Sequence, residues 1–111
     1  MTLLVDTSVW SLAFRRDTPP DVPQVGALRD AIAAGELLVT TGLIVLELLR
    51  GFMPARTGST LAERLSALTL VDPRKDDYFA AAELINTCRR RGVQLGTVDA
   101  LIAQVAIAHD L

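Results

Sequence analysis

The stretch Thr2-Leu3-Leu4-Val5-Asp6-Thr7-Ser8-Val9-Trp10 decides the fold class of this chain. A short run of Leu and Val that ends in an acid, Thr and Ser is typical of a buried strand that leads directly into a helix. Any of these three polar residues can cap such a helix, and the apolar side chains that follow would form its buried face. The stretch therefore predicts a strand over residues 3–5 and a helix directly after it.

The same alternation of a short apolar run and a longer helical pattern continues along the chain. It predicts further strands over 37–40 and 68–71, and helices over 23–34, 41–50, 60–67, 76–91 and 98–109. Pro23 suits the first turn of the helix over 23–34 and Gly35 ends it, while Thr41 or Gly42 opens the next helix. A loop is expected from Phe52 to Ser59, because this segment contains Pro54 and Gly58. Alternating strands and helices indicate an α/β fold with a central parallel sheet flanked by helices, and the 111-residue length suits a single domain over residues 1–111. The chain stops on an apolar helix, so we expect the sheet to lack its last strand or strands.

Three details of these helices are specific enough to test. Leu61, Leu65 and Leu68 recur at helical spacing and should share one face. Thr97 should cap the last helix, which is apolar nearly all round. Asp76 or Asp77 should cap the helix before it, and that helix should bury the set Phe79, Ala82, Leu84 or Ile85, and Cys88.

Composition narrows the functional classes. The formal net charge of −2 excludes a strongly basic nucleic-acid coat but not local basic patches. Cys88 is the only cysteine and His109 the only histidine, so the sequence offers neither an internal disulfide nor a structural zinc site. We find no signal peptide and no apolar stretch long enough to span a bilayer, so we expect a cytoplasmic protein without membrane contact.

Three acids interrupt apolar runs. Asp6 ends Leu3-Leu4-Val5, Glu47 stands within an apolar helix, and Asp99 precedes Ala100-Leu101-Ile102-Ala103. Burying a lone carboxylate is costly, and a divalent cation is a common way for several acids to share one place. Ligands of open parallel sheets collect outside the carboxyl ends of the strands, where Asp6 lies. The pattern predicts a Mg²⁺ or Mn²⁺ site at this edge, suited to hydrolysis of a phosphodiester.

Each acid also has a purely structural interpretation. Asp6 could only cap the first helix, Glu47 could only pair with Arg50, and Asp99 could only complement a helix dipole. Thr7 and Ser8 could hydrogen-bond metal-bound water or serve as caps. The arginines Arg15, Arg16, Arg89, Arg90 and Arg91 could hold RNA phosphates, although solvated helix ends explain them as well.

The three acidic motifs together resemble a known family. In order, Leu4-Val5-Asp6-Thr7-Ser8, Glu47-Leu48-Leu49-Arg50-Gly51 and Thr97-Val98-Asp99-Ala100-Leu101-Ile102-Ala103 are similar to the PIN-domain ribonucleases, specifically the VapC toxins of toxin-antitoxin systems. The resemblance covers essentially the whole chain and implies a PIN-like three-layer fold. It implies that Asp6 and Asp99 are metal ligands, Glu47 a third catalytic acid, and Ser8 a polar helper.

The resemblance also implies a substrate and partners. Such toxins cleave RNA of the tRNA or ribosomal class with Mg²⁺ or Mn²⁺, and they form homodimers that a VapB-like antitoxin neutralises. Family members usually continue into another strand and a fourth acid, which nothing in this sequence matches. A non-catalytic PIN module that only binds its antitoxin is therefore the alternative.

Two other enzyme or signalling classes begin with a strand followed by Asp. A haloacid-dehalogenase phosphotransferase needs a second Asp two residues on, where this chain has Ser8. A response-regulator receiver needs paired acids near its first strand and a positioned lysine, but the only lysine, Lys75, stands between Arg74 and Asp76. Both classes fit the sequence less well than a nuclease.

Overall fold

The computed structural model describes residues 2–14, 21–50 and 55–111. The chain divides into two compact units, Met1–Leu70 and Val71–Leu111. The first unit contains β1 (Thr2–Leu4), α1 (Thr7–Phe14), α2 (Pro23–Ala33), β2 (Leu37–Thr40), α3 (Gly42–Leu49), α4 (Ala55–Ser66) and β3 (Thr69–Leu70). The second contains α5 (Lys75–Arg90) and α6 (Thr97–Ala108).

The strands of the first unit form a parallel sheet in the order β1-β2-β3. Thr2 pairs with Leu37 and Leu4 with Val39, while Thr40 pairs with Leu70 on the other side of β2. The expected α/β class with a parallel sheet is confirmed. β2 has its predicted bounds, whereas β1 begins and ends one residue earlier than predicted and β3 is two residues shorter.

Helices of the first unit bury apolar side chains at helical spacing. The helix α1 contacts α2 and α3, and α3 contacts α4. Ile44 of α3 and Leu61 of α4 are completely buried, and Leu65 nearly so, which confirms the predicted face of α4 for Leu61 and Leu65. Leu68 lies beyond the last residue of α4 and is only partly buried. The other buried apolar residues of this unit are Val5, Trp10, Val25, Leu28, Ala31, Leu38, Val39 and Leu48.

The ends of α2 follow from its sequence. Pro23 occupies the first turn, where its missing N–H costs nothing. Gly35 has φ +71°, and the N–H groups of Gly35 and Glu36 donate to the carbonyls of Ile32 and Ala31. This is the Schellman arrangement, in which a left-handed residue lets the chain satisfy the last helical carbonyls. It turns the chain into β2.

The predicted loop over 52–59 is wrong for residues 55–59, because α4 begins at Ala55. Residues 52–54 lie outside the described part of the chain. Gly58 alone disfavours a helix by only ~1 kcal/mol relative to Ala. Burial of Leu61 and Leu65 in the same helix offsets that cost, which a local pattern does not show.

In the second unit, α5 and α6 pack against each other. α5 buries Ala81 and the acid Asp77, whereas Phe79 is 68% exposed and Ala82 is also exposed. The predicted burial of Phe79 and Ala82 is therefore wrong. The face of α5 that lies next to α6 includes Ala81, one turn after Asp77. Helical spacing alone does not decide which face of α5 is buried.

The ends of both helices differ slightly from prediction. The N-cap of α5 is Arg74, not Asp76 or Asp77 as predicted, because the helix already begins at Lys75. The Asp77 carboxylate, in the first turn, accepts a hydrogen bond from the Arg74 backbone N–H at 2.7 Å. α6 starts after Gly96, not Thr97, because Thr97 is already helical. α6 is not buried all round, since Ile107 is 65% exposed. None of the helices in the described ranges is long and apolar enough to cross a bilayer.

Candidate active site

Two helices of the first unit start at the same edge of the sheet. Leu4 and Val39 are paired on neighbouring parallel strands, and Asp6 and Thr41 each follow two residues later. The helix α1 begins directly after Asp6, and α3 directly after Thr41. The carboxyl edge of the sheet therefore presents the first turns of both helices, as in other open parallel sheets that bind ligands there.

Asp6 uses its backbone, not its carboxylate, to start α1. Its carbonyl accepts hydrogen bonds from the N–H groups of Val9 at 3.1 Å and Trp10 at 3.3 Å. Its carboxylate accepts a hydrogen bond from the Ser8 hydroxyl, with Ser8 Oγ 2.8 Å from Asp6 Oδ2. Both side chains are exposed. The hydrogen bond of this carboxylate therefore orients it at the surface and does not cap the helix.

Glu47 is held by Thr7. The Thr7 hydroxyl donates to Glu47 Oε1 over 3.1 Å, and both side chains are partly buried. This hydrogen bond, not an ion pair with Arg50, is the interaction that Glu47 makes among the described residues. Because Thr7 directly follows Asp6, the bond brings the second turn of α3 to the start of α1.

Thr41 fixes the start of the helix that carries Glu47. It is completely buried, and its hydroxyl accepts a hydrogen bond from the Ile44 N–H at 3.2 Å. The neighbouring Thr40 is also completely buried. The sequence indicated Thr41 or Gly42 as the start of this helix, but it gave no sign that the cap supports a candidate site residue.

Asp99 belongs to the second unit and lies in the first turn of α6. Its side chain is exposed, and its carboxylate has no hydrogen-bond partner within residues 2–14, 21–50 and 55–111. An acid in a first turn interacts favourably with the helix dipole, so the structural interpretation also fits. The grouping of Asp99 with Asp6 and Glu47 stays a prediction.

The donor atoms of the first unit suit a hard divalent cation. In both Asp6 and Glu47, one carboxylate oxygen accepts a hydrogen bond from a hydroxyl. The second oxygen of each carboxylate accepts no hydrogen bond from a described residue. Carboxylate oxygens held by hydroxyls are typical ligands and supports for Mg²⁺ or Mn²⁺. In the described part of the chain, however, no three His, Cys, Asp or Glu side chains are grouped closely enough to hold a metal ion.

The predicted RNA-binding arginines have different surroundings. Arg15 and Arg16 lie outside the described residues. Arg89 and Arg90 are exposed in the last turn of α5. The Arg90 guanidinium donates to the Thr87 hydroxyl at 3.1 Å, whereas no described residue hydrogen-bonds the Arg89 guanidinium.

Comparisons with known proteins agree on the fold. A family model described as the PIN domain matches residues 3–111. The chain resembles VapBC2 from Rickettsia felis bound to a DNA fragment from its promoter, with TM-score 0.75, 24% identity, and coverage of 99% of this chain and 83% of that one. It also resembles FitAB bound to a DNA fragment, with TM-score 0.74, 20% identity, and coverage of 100% and 81%.

A third similar structure is FitAcB from Neisseria gonorrhoeae, with TM-score 0.66, 23% identity, and coverage of 100% of this chain and 84% of that one. No curated protein sequence matches the chain. At these identities the structures establish a shared fold.

Proposed function

Because the chain belongs to the PIN-domain family, we propose that it is a metal-dependent endoribonuclease of the VapC toxin type. PIN domains are generally nucleases, and the structures of similar fold contain VapBC and FitAB toxin-antitoxin proteins. Within this chain, the observation that most directly supports the proposal is the hydrogen bond from Thr7 to Glu47. It joins two acid-bearing segments that lie 40 residues apart in sequence.

In the proposed site, Asp6, Glu47 and Asp99 hold one or two Mg²⁺ or Mn²⁺ ions. The metal would activate a water molecule and stabilise charge on the phosphodiester during in-line attack. Thr7 and Ser8 orient the carboxylates of Glu47 and Asp6 before the metal binds, as their hydrogen bonds indicate.

The substrate and partners belong to the same proposal. We expect RNA of the tRNA or ribosomal class, held in part by phosphate contacts from Arg89 and Arg90, and from Arg15 and Arg16. We also expect a homodimer neutralised by a VapB-like antitoxin. Support for the antitoxin comes from the similar structures, which are of VapBC2 and FitAB.

RNA cleavage by the purified chain tests the proposal. Structured tRNA and ribosomal RNA fragments would be incubated with Mg²⁺ or Mn²⁺ and the products mapped by primer extension. Asp6→Asn, Glu47→Gln and Asp99→Asn should each lower the rate at least about a hundredfold, whereas the exposed Asp76→Asn serves as a matched carboxylate control. Cleavage that survives Asp6→Asn or Asp99→Asn would contradict the catalytic assignment.

A PIN module that only binds its antitoxin is the second candidate. The observation that favours it is the lack of a metal-holding cluster of three His, Cys, Asp or Glu side chains among the described residues. Calorimetric titration with Mn²⁺ separates the two functions, because the enzyme must bind the metal at up to near-millimolar concentration. A growth assay adds a second readout, since expression without the antitoxin should stop growth only for the nuclease.

A further inference from the structure

We infer that a cavity at the end of α5 is a pocket for a single unpaired nucleobase of RNA, an inference that rests on the proposed function. The cavity measures about 320 Å³ and lies entirely within the second unit. It is lined by Ile85, Arg89, Gly92, Val93, Gln94 and Leu95. Its volume is near the lower end of the usual range for small-ligand sites, ~300 to 1,000 Å³, so it suits a small group.

The lining combines apolar walls with two polar side chains. Ile85, Val93 and Leu95 supply the apolar surface, and Gln94 supplies an amide that can both donate and accept hydrogen bonds. Arg89 also lines the cavity, and its guanidinium is not hydrogen-bonded by any residue of the described ranges. Splayed bases of single-stranded RNA stack on guanidinium planes and are read by hydrogen bonds along their edges.

The backbone on one side of the cavity is fixed before any ligand binds. Gly92 has φ +78°, and its N–H donates to the Arg89 carbonyl at 3.0 Å. The Val93 N–H donates to the Cys88 carbonyl at 2.8 Å. These two bonds close a Schellman turn, which fixes the position of the backbone that leads into Gln94. A preformed wall lowers the entropic cost of binding a base.

The cavity is also close to Asp99 along the chain. Leu95 precedes Asp99 by four residues, which can span at most ~14 Å even when fully extended. If Asp99 holds the catalytic metal, a base in this cavity would belong to a nucleotide near the cleaved bond. The pocket would then help to select the RNA sequence that is cleaved, because the three acids alone do not distinguish one base from another.

Binding of short RNA tests the pocket apart from cleavage. Fluorescein-labelled octamers of A, C, G and U would be titrated into the non-cleaving Asp6→Asn protein and followed by anisotropy. We expect one base to be preferred, and Gln94→Ala or Arg89→Ala to weaken binding of that octamer about tenfold. The weaker octamers should change little. Arg90→Ala is the comparison variant at the same helix end, where its guanidinium is hydrogen-bonded to Thr87. As a proposed phosphate contact, Arg90 should affect all four octamers alike and leave the base preference unchanged.

Three results would overturn the pocket. Gln94→Ala could leave the base preference unchanged, Arg89→Ala could weaken all four octamers as Arg90→Ala does, or the unsubstituted protein could show no preference. Failure of the nuclease proposal looks different. In that case the unsubstituted chain cleaves no RNA, while nucleoside monophosphates still shift the amide resonances of Val93 and Leu95.

Discussion

The Thr7 hydroxyl donates a hydrogen bond to Glu47 Oε1 at 3.1 Å, joining the first turn of α1 to α3. Thr7 follows Asp6, whose own carboxylate accepts from Ser8. The motif Asp6-Thr7-Ser8 thus contributes one acid and two hydroxyls, each of which orients a different carboxylate. Such supporting hydrogen bonds commonly set the orientation of metal ligands.

Thr7→Val tests the support of Glu47. Valine keeps the shape of threonine but removes the donor, so Glu47 loses its hydrogen bond. We expect a fall in kcat of about tenfold or more and a loss of about 1 kcal/mol in the free energy of unfolding. Steady-state RNA cleavage and urea denaturation measure the two effects. Thr7→Ser restores the hydroxyl and should recover most of the activity; a fully active Thr7→Val protein would contradict the positioning role.

Ser8→Ala tests the support of Asp6. Because Ser8 is exposed, the free energy of unfolding should change by no more than about 0.5 kcal/mol. The Mg²⁺ concentration for half-maximal cleavage should rise about tenfold, since Asp6 would lose the bond that orients it. Ser66→Ala removes a hydroxyl that bonds only the Glu63 carbonyl and should leave the Mg²⁺ dependence unchanged. Identical Mg²⁺ curves for both variants would count against the Ser8 role.

Two apolar residues of α3 should differ sharply in their contribution to stability. Ile44 is completely buried and Leu46 is 66% exposed, although they lie two positions apart. Ile44→Ala should cost ~2 to 5 kcal/mol because it leaves a cavity, whereas Leu46→Ala should cost less than about 0.5 kcal/mol. Chemical denaturation measures both. Equal losses would mean that α3 presents a different face to the first unit.

The start of α5 can be tested in the same way. The buried Asp77 accepts a hydrogen bond from the Arg74 N–H at 2.7 Å, and its own N–H donates to the Arg74 carbonyl at 3.0 Å. Asp77→Ala removes the first bond and should cost ~1 to 2 kcal/mol. Asp76→Ala, in the same turn but exposed, should cost less. Hydrogen exchange at the amides of residues 75–80 should increase only in the Asp77 variant.

Strong local signals predicted much of the fold. Pro23 and Gly35 marked the two ends of α2, and Thr41 or Gly42 marked the start of α3, because each residue type has a specific backbone or capping role at such positions. The parallel sheet followed from short apolar runs that alternate with helices. The structure has β2 at its predicted bounds.

Tertiary packing determined the features of the fold that the sequence pattern did not predict. Phe79 is exposed and Asp77 is buried, although helical spacing alone would allow either face of α5 to be the buried one; that choice depends on tertiary contacts. The helix α4 starts earlier than predicted, at Ala55, because a single glycine disfavours a helix by only ~1 kcal/mol and does not by itself exclude one. The hydrogen bond between Thr7 and Glu47 depends on how α1 and α3 pack, so their separate motifs could not reveal it.

We propose that Asp6, Glu47 and Asp99 share one divalent cation. Paramagnetic broadening by Mn²⁺ in the ¹⁵N-labelled chain measures this directly. We predict that substoichiometric Mn²⁺ broadens the amide resonances around all three acids together, and that Asp99→Asn weakens the broadening around Asp6 and Glu47. Broadening around only one acid, or loss around Asp99 with no change at the other two, would contradict a shared metal site.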